Sequence, residues 1–281
     1  MTYLVTGATG GFGGYALTAL KELVPISEIY ALVRSEEKGA DLKEAGFNIR
    51  IADYSDADAM AEALKGIDRL LFVSGAPGNR QEEHTNVINA AKQAGVSYIA
   101  YTSLAGADKS TSALAVDHVF TEKKIEESGI PHTFLRNNWY LENELPLIGS
   151  ALNGGKFAYA AQDGKTGWAL RREYAEVAAK AVAGADYPAV LELSGTPVTY
   201  AVLGEALKKA TGQSVDVVAT DDETFVRNLV AGGLPQEVAE VFLTFQHDIK
   251  NHQLDVSSPD FEKALGKPLT SLEAGLKELL G

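Results

Sequence analysis

The stretch TGATGGFGG, residues 6–14, follows the apolar run TYLV at residues 2–5 and precedes YALTALKEL at residues 15–23. The first run fits one brief strand and the last an amphipathic helix, so the glycines lie on a strand-to-helix turn. Gly7, Gly10 and Gly13 stand in G-x-x-G-x-x-G spacing. Such a turn uses glycine for the tight bend, for close backbone approach to a pyrophosphate and for helix-on-strand packing, and the phosphates rest on the first amides of the helix. The spacing alone is a weak signal. A strand before it, a helix after it and a second strand beginning near Glu28 supply the context a dinucleotide-binding fingerprint requires. Gly7, Thr9, Gly10, Gly11, Phe12 and Gly13 are therefore the expected cofactor-binding turn; the alternative is a structural turn without a ligand.

Outward from this turn, short apolar runs rich in branched residues (EIYALVR, NIRIADY, RLLFVSG, YIAYTS, HTFLR) alternate with helical patterns such as DAMAEALKG and TNVINAAKQAG. Strand–helix alternation with strands apolar on both faces predicts an α/β fold, a doubly wound parallel sheet of Rossmann type. After about residue 136 the rhythm changes. A stretch rich in glycine and small residues, 149–167, leads to a helix near REYAEVAAKAVA and a further sheet strand near 189–194. The tail reads as helical, with start signals at Thr199, at Thr220 with Glu223, at Ser258 before Pro259 and at Thr270 with Glu273. The expected organisation is an NADP-binding domain over residues 1–140 and a smaller, mainly helical substrate lobe over 141–281, with the cleft between them as binding site.

Composition narrows the function classes. Lys and Arg number 25 against 38 Asp and Glu, a net charge of -13 that repels phosphate backbones, so neither nucleic acid nor a membrane surface is an expected partner. The chain has no cysteine, which removes disulfides and thiolate chemistry, and its five histidines lack ligand spacing, so no metal site is expected. No apolar run approaches the ~18 residues of a membrane span, and the N-terminus lacks a signal-peptide pattern. The expectation is a soluble cytoplasmic protein. Assembly as a homodimer is left open by the sequence.

The end of the second strand selects the dinucleotide. Asp or Glu there would accept from the ribose hydroxyls of NAD, whereas a cation suits the 2′-phosphate of NADP. The residue is Arg34, with Lys38 as an auxiliary, so NADPH is expected in preference to NADH; the plain alternative is one more surface arginine. Asp53 and Tyr54, ending the third strand, are expected to flank the adenine, and Ser74 and Gly75, ending the fourth, to pass near the cofactor backbone. His84 is expected at a helix start and His118 on a solvent-facing helix position.

The motifs TGATGGFGG, ALVRS, IADYSD, NVINAAKQAGVSYIAYTSLAGAD, TEKKIEESGI, LRNNWYLEN and DGKTGWALRREYA together resemble the atypical short-chain dehydrogenases/reductases of the NmrA-like group. Within it they are most similar to the bacterial type-2 NAD(P)H:quinone oxidoreductases. The resemblance runs from residue 6 to about 175. Short-chain enzymes that act on alcohols and ketones carry Ser or Thr at the end of the fifth strand and Tyr-x-x-x-Lys on the helix that follows. Here Thr102 and Ser103 answer to the first, and Lys123 stands at the place of the ribose-holding lysine, but Val119 stands four residues before it. The ribose clamp is kept and the proton relay is not. A ketone reductase needs that acid to protonate an alkoxide; hydride arrival on a quinone yields a much less basic aromatic hydroquinone anion. Hydrogen-bond donors are expected from LRNNWYLEN: Asn137 near the nicotinamide, Tyr140 and Asn143 near a substrate carbonyl. The alternative is that the asparagines cap a turn and that Trp139 and Tyr140 fill core. Tyr101 is read as a sheet residue whose phenol is a substitute donor. The resemblance implies NADPH-dependent quinone reduction by direct hydride transfer, without a flavin. Its alternative is an NAD(P)-binding redox-sensing regulator of the NmrA-like type that turns nothing over.

Overall fold

Seven strands, all paired in parallel, form the central sheet of the computed structural model, which describes residues 1–281. They are β1 (Tyr3–Val5), β2 (Ile29–Val33), β3 (Asn48–Ile51), β4 (Arg69–Phe72), β5 (Tyr98–Leu104), β6 (His132–Asn137) and, after an excursion of the chain, β9 (Val190–Leu193). The order β3-β2-β1-β4-β5-β6-β9 places the reversal of winding between β1 and β4, the position at which open α/β sheets bind ligands at the carboxyl ends of their strands.

The helices that connect these strands are α1 (Gly11–Leu20), α2 (Glu36–Glu44), α3 (Ala57–Ala63), α4 (Arg80–Ala94) and α5 (Ala113–Ser128), with α7 (Arg171–Ala183) leading into β9. Because successive strand residues point to opposite faces, both faces of the sheet must be covered. Leu4, Leu70, Phe72, Ile99, Tyr101 and Phe134 join Met60 of α3, Val87 and Ala91 of α4 and Ile125 of α5 in one buried cluster. On the other side α1 packs against α7, whose Ala175, Ala178, Ala179 and Val182 are fully buried.

The chain divides into two compact units. The first comprises Met1–Asn137 with Arg171–Leu193, so α7 belongs with the sheet it covers. The second comprises Asn138–Leu170 with Ser194–Gly281. It contains α6 (Leu145–Gly154), α8 (Tyr200–Thr211), α9 (Asp222–Ala231), α10 (Gln236–Lys250), α11 (Asp260–Leu265) and α12 (Leu272–Leu280), and two small sheets that pair β7 (Lys156–Tyr159) with β11 (Asp216–Ala219) and β8 (Lys165–Thr166) with β10 (Val198–Thr199). The glycine-rich stretch 149–167 is thus built into α6 and both of these sheets.

Glu144, in a 3-10 turn over Leu141–Glu144, organises the interior of this unit: its Oε1 accepts from the indoles of Trp139 and Trp168, each at 3.0 Å, and from the Tyr200 hydroxyl at 2.8 Å. Asn138 is equally committed, donating to Ser194 Oγ at 2.9 Å and to the Leu254 carbonyl at 3.0 Å while accepting from Thr166. Three helix starts differ by one residue from the expected caps; in α11 Pro259 takes the N-cap position, and Ser258 before it accepts the Asp260 amide at 3.1 Å. Asp221 and not Thr220 caps α9, accepting from the Thr224 amide, and Ser271 and not Thr270 caps α12, accepting from the Ala274 amide. In α9 the carboxylate adds a favourable interaction with the helix dipole that a threonine lacks.

Candidate functional site

The glycine turn closes on itself at the head of β1. Gly7 adopts φ +59°, in the left-handed region, and its carbonyl accepts the Gly10 amide at 2.9 Å. A Cβ on Gly13 would overlap that same Gly7 carbonyl, so this position admits no larger residue while α1 lies so close to the strand. Gly10 is the N-cap of α1 and has no side chain with which to cap it. First-turn amides have no carbonyl four residues back, and an anion there meets both these donors and the positive end of the helix dipole. Arg171, the first residue of α7, brings a cation to the same turn: its Nη1 lies 2.7 Å from where a Cβ of Gly11 would stand.

A cavity of about 400 Å³ opens beside this turn, lined by Gly7, Thr9, Gly10, Arg34, Asp53, Tyr54, Ser74 and Gly75 together with Leu32, Val33, Ala52, Val73, Ala76 and Glu83. Eight residues expected in the cofactor site are therefore brought together at the ends of β1 to β4. Arg34 directly follows β2 and is exposed. Asp53 is held below the ordinary carboxylate range by hydrogen bonds from the Ser55 hydroxyl and amide, with a smaller contribution from the Arg34 charge, so it presents an acceptor at neutral pH. The Tyr54 hydroxyl donates to the Val73 carbonyl at 2.9 Å, and the Tyr54 carbonyl accepts from Asn86. Thr102, at the end of β5, accepts the Ser74 amide at 2.8 Å, so it supports the cavity wall from beneath.

Other expected residues lie elsewhere. Asn137 is the last residue of β6 and is buried. Tyr140 and Asn143 share one turn of the second unit, where the Asn143 amide donates to the Tyr140 carbonyl at 3.0 Å; both are half-buried. Lys123 and Val119 are exposed on α5, which turns His118, Thr121, Glu122 and Ile125 inward instead. Lys123 is not among the residues lining the cavity.

Three sequence readings require correction. His84 decorates no helix surface: it is fully buried and binds Gly75 and Thr121. His118 is only 8% exposed and binds the Tyr101 hydroxyl at 3.0 Å. Tyr101 is itself fully buried, so its phenol is engaged inside the fold and not at the strand end. The cause is common to all three: α4 and α5 pack against each other and together cover the sheet face that carries Tyr101, in one cluster with Val87, Ala91 and Ile125.

Arg171, Glu83, Arg80 and His84 are the residues near the cavity that the sequence reading missed. Glu83 had a detectable signal, its place in the first turn of the helix after the fourth strand. Arg171 had none, since only the packing of α7 on α1 brings it to the glycines.

Comparison with known proteins places this geometry. Residues 7–184 match the NAD(P)H-binding family. Quinone oxidoreductase 2 of Escherichia coli is 40% identical over 278 residues, covering 98% of this chain and 97% of that protein. Among solved structures, the NADPH-dependent quinone oxidoreductase of Escherichia coli complexed with NADPH superposes with a TM-score of 0.93 at 39% identity over 100% of both chains. The Citrobacter sp. triphenylmethane reductase complexed with NADP(H) gives 0.92 at 31% identity over 99% of each. The chain belongs to the NAD(P)H-binding family, in its NmrA-like, short-chain-dehydrogenase-type branch.

Proposed function

We propose that this protein is an NADPH-dependent quinone reductase: NADPH, a quinone and a proton give NADP⁺ and the hydroquinone. The observation that carries the reading is the likeness, at 40% identity over nearly the whole chain, to a protein named for quinone reduction. The cavity suits the cofactor, since it joins a glycine turn at a helix start to a cation following β2. The nicotinamide supplies the hydride when bound. The chain's own part is to hold and orient: the first amides of α1 and the Arg171 guanidinium receive the pyrophosphate, Arg34 the 2′-phosphate, Asp53 and Tyr54 the adenine, Ser74, Gly75 and Thr102 the cofactor backbone. Asn137 is assigned to the nicotinamide, and Tyr140 and Asn143 to the carbonyl oxygens of the quinone. Lys123 is assigned to the nicotinamide ribose on its chain position alone. Position 119, a valine on the exposed side of α5, offers no acid, which suits an acceptor whose reduced form is a weak base.

The test is the initial rate of NADPH consumption with a simple benzoquinone against a no-enzyme control, with flavin-free protein. Saturable turnover is expected. Tight NADPH binding with no turnover for any quinone would instead favour the redox-sensing alternative, to be tested by a search for a protein partner.

A further inference from the structure

The turn between β4 and α4 supplies one wall of the cavity through Val73, Ser74, Gly75 and Ala76. Both backbone polar groups of Gly75 are gripped from behind by the helix that follows. The Gly75 amide donates to His84 Nε2 at 3.0 Å, and the Gly75 carbonyl accepts from Arg80 Nε at 2.9 Å. Arg80 and His84 stand one helical turn apart on α4, so they reach the same peptide from one face. Neither side chain lines the cavity.

Hydrogen-bond direction fixes the chemistry of the grip. Because Nε2 of His84 accepts, its ring proton sits on Nδ1, which faces Thr121 Oγ1 at 2.8 Å; Thr121 in turn donates to the Asp117 carbonyl at 2.7 Å. The ring is packed edge-on against Phe72, with centroids 4.7 Å apart, and against Tyr101 at 5.8 Å. Arg80 is braced in the same way. Its Nη1 faces His118 Nε2 at 3.5 Å and Asp117 at 4.0 Å, and His118 holds the Tyr101 hydroxyl through Nδ1. Two residues of α4 thus tie Gly75 to α5 and β5 through the buried Thr121, His118 and Tyr101 and the half-buried Asp117. A protonated His84 would set a ring N–H against the Gly75 N–H; burial and the Arg80 charge push its pKa down to about 3 and keep the ring an acceptor.

We propose that His84 and Arg80 are positioning residues for the dinucleotide, acting through Gly75 to hold the Ser74–Ala76 wall of the cavity in its binding shape. The proposal rests on the reading that this cavity holds NADPH, and it does not depend on the acceptor reduced.

The test is NADPH affinity by calorimetry, with no quinone present. Wild type is compared with His84→Leu, which fills the space without an acceptor, His84→Gln, whose amide oxygen replaces Nε2, and Arg80→Met. Loss of one backbone hydrogen bond at the wall is expected to weaken NADPH about tenfold in the leucine and methionine variants. The glutamine variant should stay within about threefold of wild type. A folded leucine variant with wild-type affinity would show that His84 merely fills the core and would overturn the proposal. So would a glutamine variant as weak as the leucine one. If the leucine chain does not fold, Arg80→Met tests the same grip through the carbonyl, and nitrogen-15 NMR of the wild type adds a check without mutation: a His84 ring carrying its proton on Nε2 at neutral pH cannot accept from Gly75. Wild-type protein that binds NADPH but reduces no quinone would leave this inference standing and remove only the quinone assignment; wild type that binds no NADPH would overturn both.

Discussion

Arg34 stands exposed at the rim of the cavity, immediately after the last residue of β2. An exposed guanidinium meets a phosphate with little prior desolvation, and a charge-assisted hydrogen bond of this kind contributes about 1.5–3 kcal/mol. Arg34→Ala is therefore expected to weaken NADPH by roughly 10- to 100-fold while moving NADH by less than about threefold. Binding titrations with the two cofactors decide it, and equal losses would remove the 2′-phosphate assignment. Arg171 differs in kind. Its guanidinium lies against Gly11 at the start of α1, where the part of the dinucleotide common to both cofactors would rest, so it offers no means of telling them apart.

At the scale of elements, Arg136 joins β6 to its neighbours. Its Nε and Nη2 reach the two oxygens of Glu122 on α5 at 2.9 and 2.7 Å, and its Nη1 reaches Glu192 on β9 at 3.0 Å and Asp108 at 2.7 Å. Glu122 also accepts from Ser103 of β5 at 2.6 Å, and Glu192 accepts the Gly106 amide at 3.0 Å. The register of Asn137, next along β6, is set by this cluster. Arg136 and Glu122 are both under 10% exposed, so removing Glu122 leaves Nε and Nη2 of a buried guanidinium without acceptors, with only Nη1 still paired to Glu192 and Asp108. Glu122→Ala is expected to cost about 3–5 kcal/mol. Asp108→Ala, which removes a side chain 53% exposed, should cost no more than about 1 kcal/mol. Urea unfolding of the two variants measures the difference; similar losses would show that the cluster does not discriminate buried from exposed partners.

The stability of the whole molecule carries two opposed pH dependences. Burial, then the charge of Arg80, pushes the pKa of His84 and of His118 from 6.5 down to about 3. Between these values the unfolded chain binds the more protons, so stability present above pH 6.5 is lost as the pH falls towards 3. Glu144 behaves inversely. Burial raises it from 4.5 to about 7 despite its three hydrogen-bond donors, so in that window the folded chain binds the more protons. Its contribution is complete below pH 4.5 and is lost as the pH rises through 7. Each group acts with a limiting slope of about 1.4 kcal/mol per pH unit. Glu144→Gln keeps an amide oxygen for the Trp139, Trp168 and Tyr200 donors. It should abolish the loss between about pH 5 and 7 and leave the acid limb intact. Melting temperatures across pH 4 to 8 test this, and superimposable curves would refute it.

The glycine turn, the alternation of strands and helices, Arg34 after the second strand and the valine in place of an acid were all legible in the sequence. Each is local: a spacing of a few residues, or a position counted from a strand end, is written in consecutive residues. Asp53, Tyr54, Ser74 and Gly75 were legible for the same reason, because strand ends on one side of a parallel sheet converge whatever the helices do. Only the tertiary structure decided which helix faces are buried. His84 and His118 pattern as surface residues when α4 and α5 are each read alone, yet packing of the two helices on each other and on the sheet face that carries Tyr101 encloses them and turns Lys123 outward. The approach of Arg171 to Gly11 and the gathering of Trp139, Trp168 and Tyr200 on one Glu144 oxygen are likewise tertiary. Burial depends on what covers a surface, and the covering residues lie far away along the chain, where no local period records them.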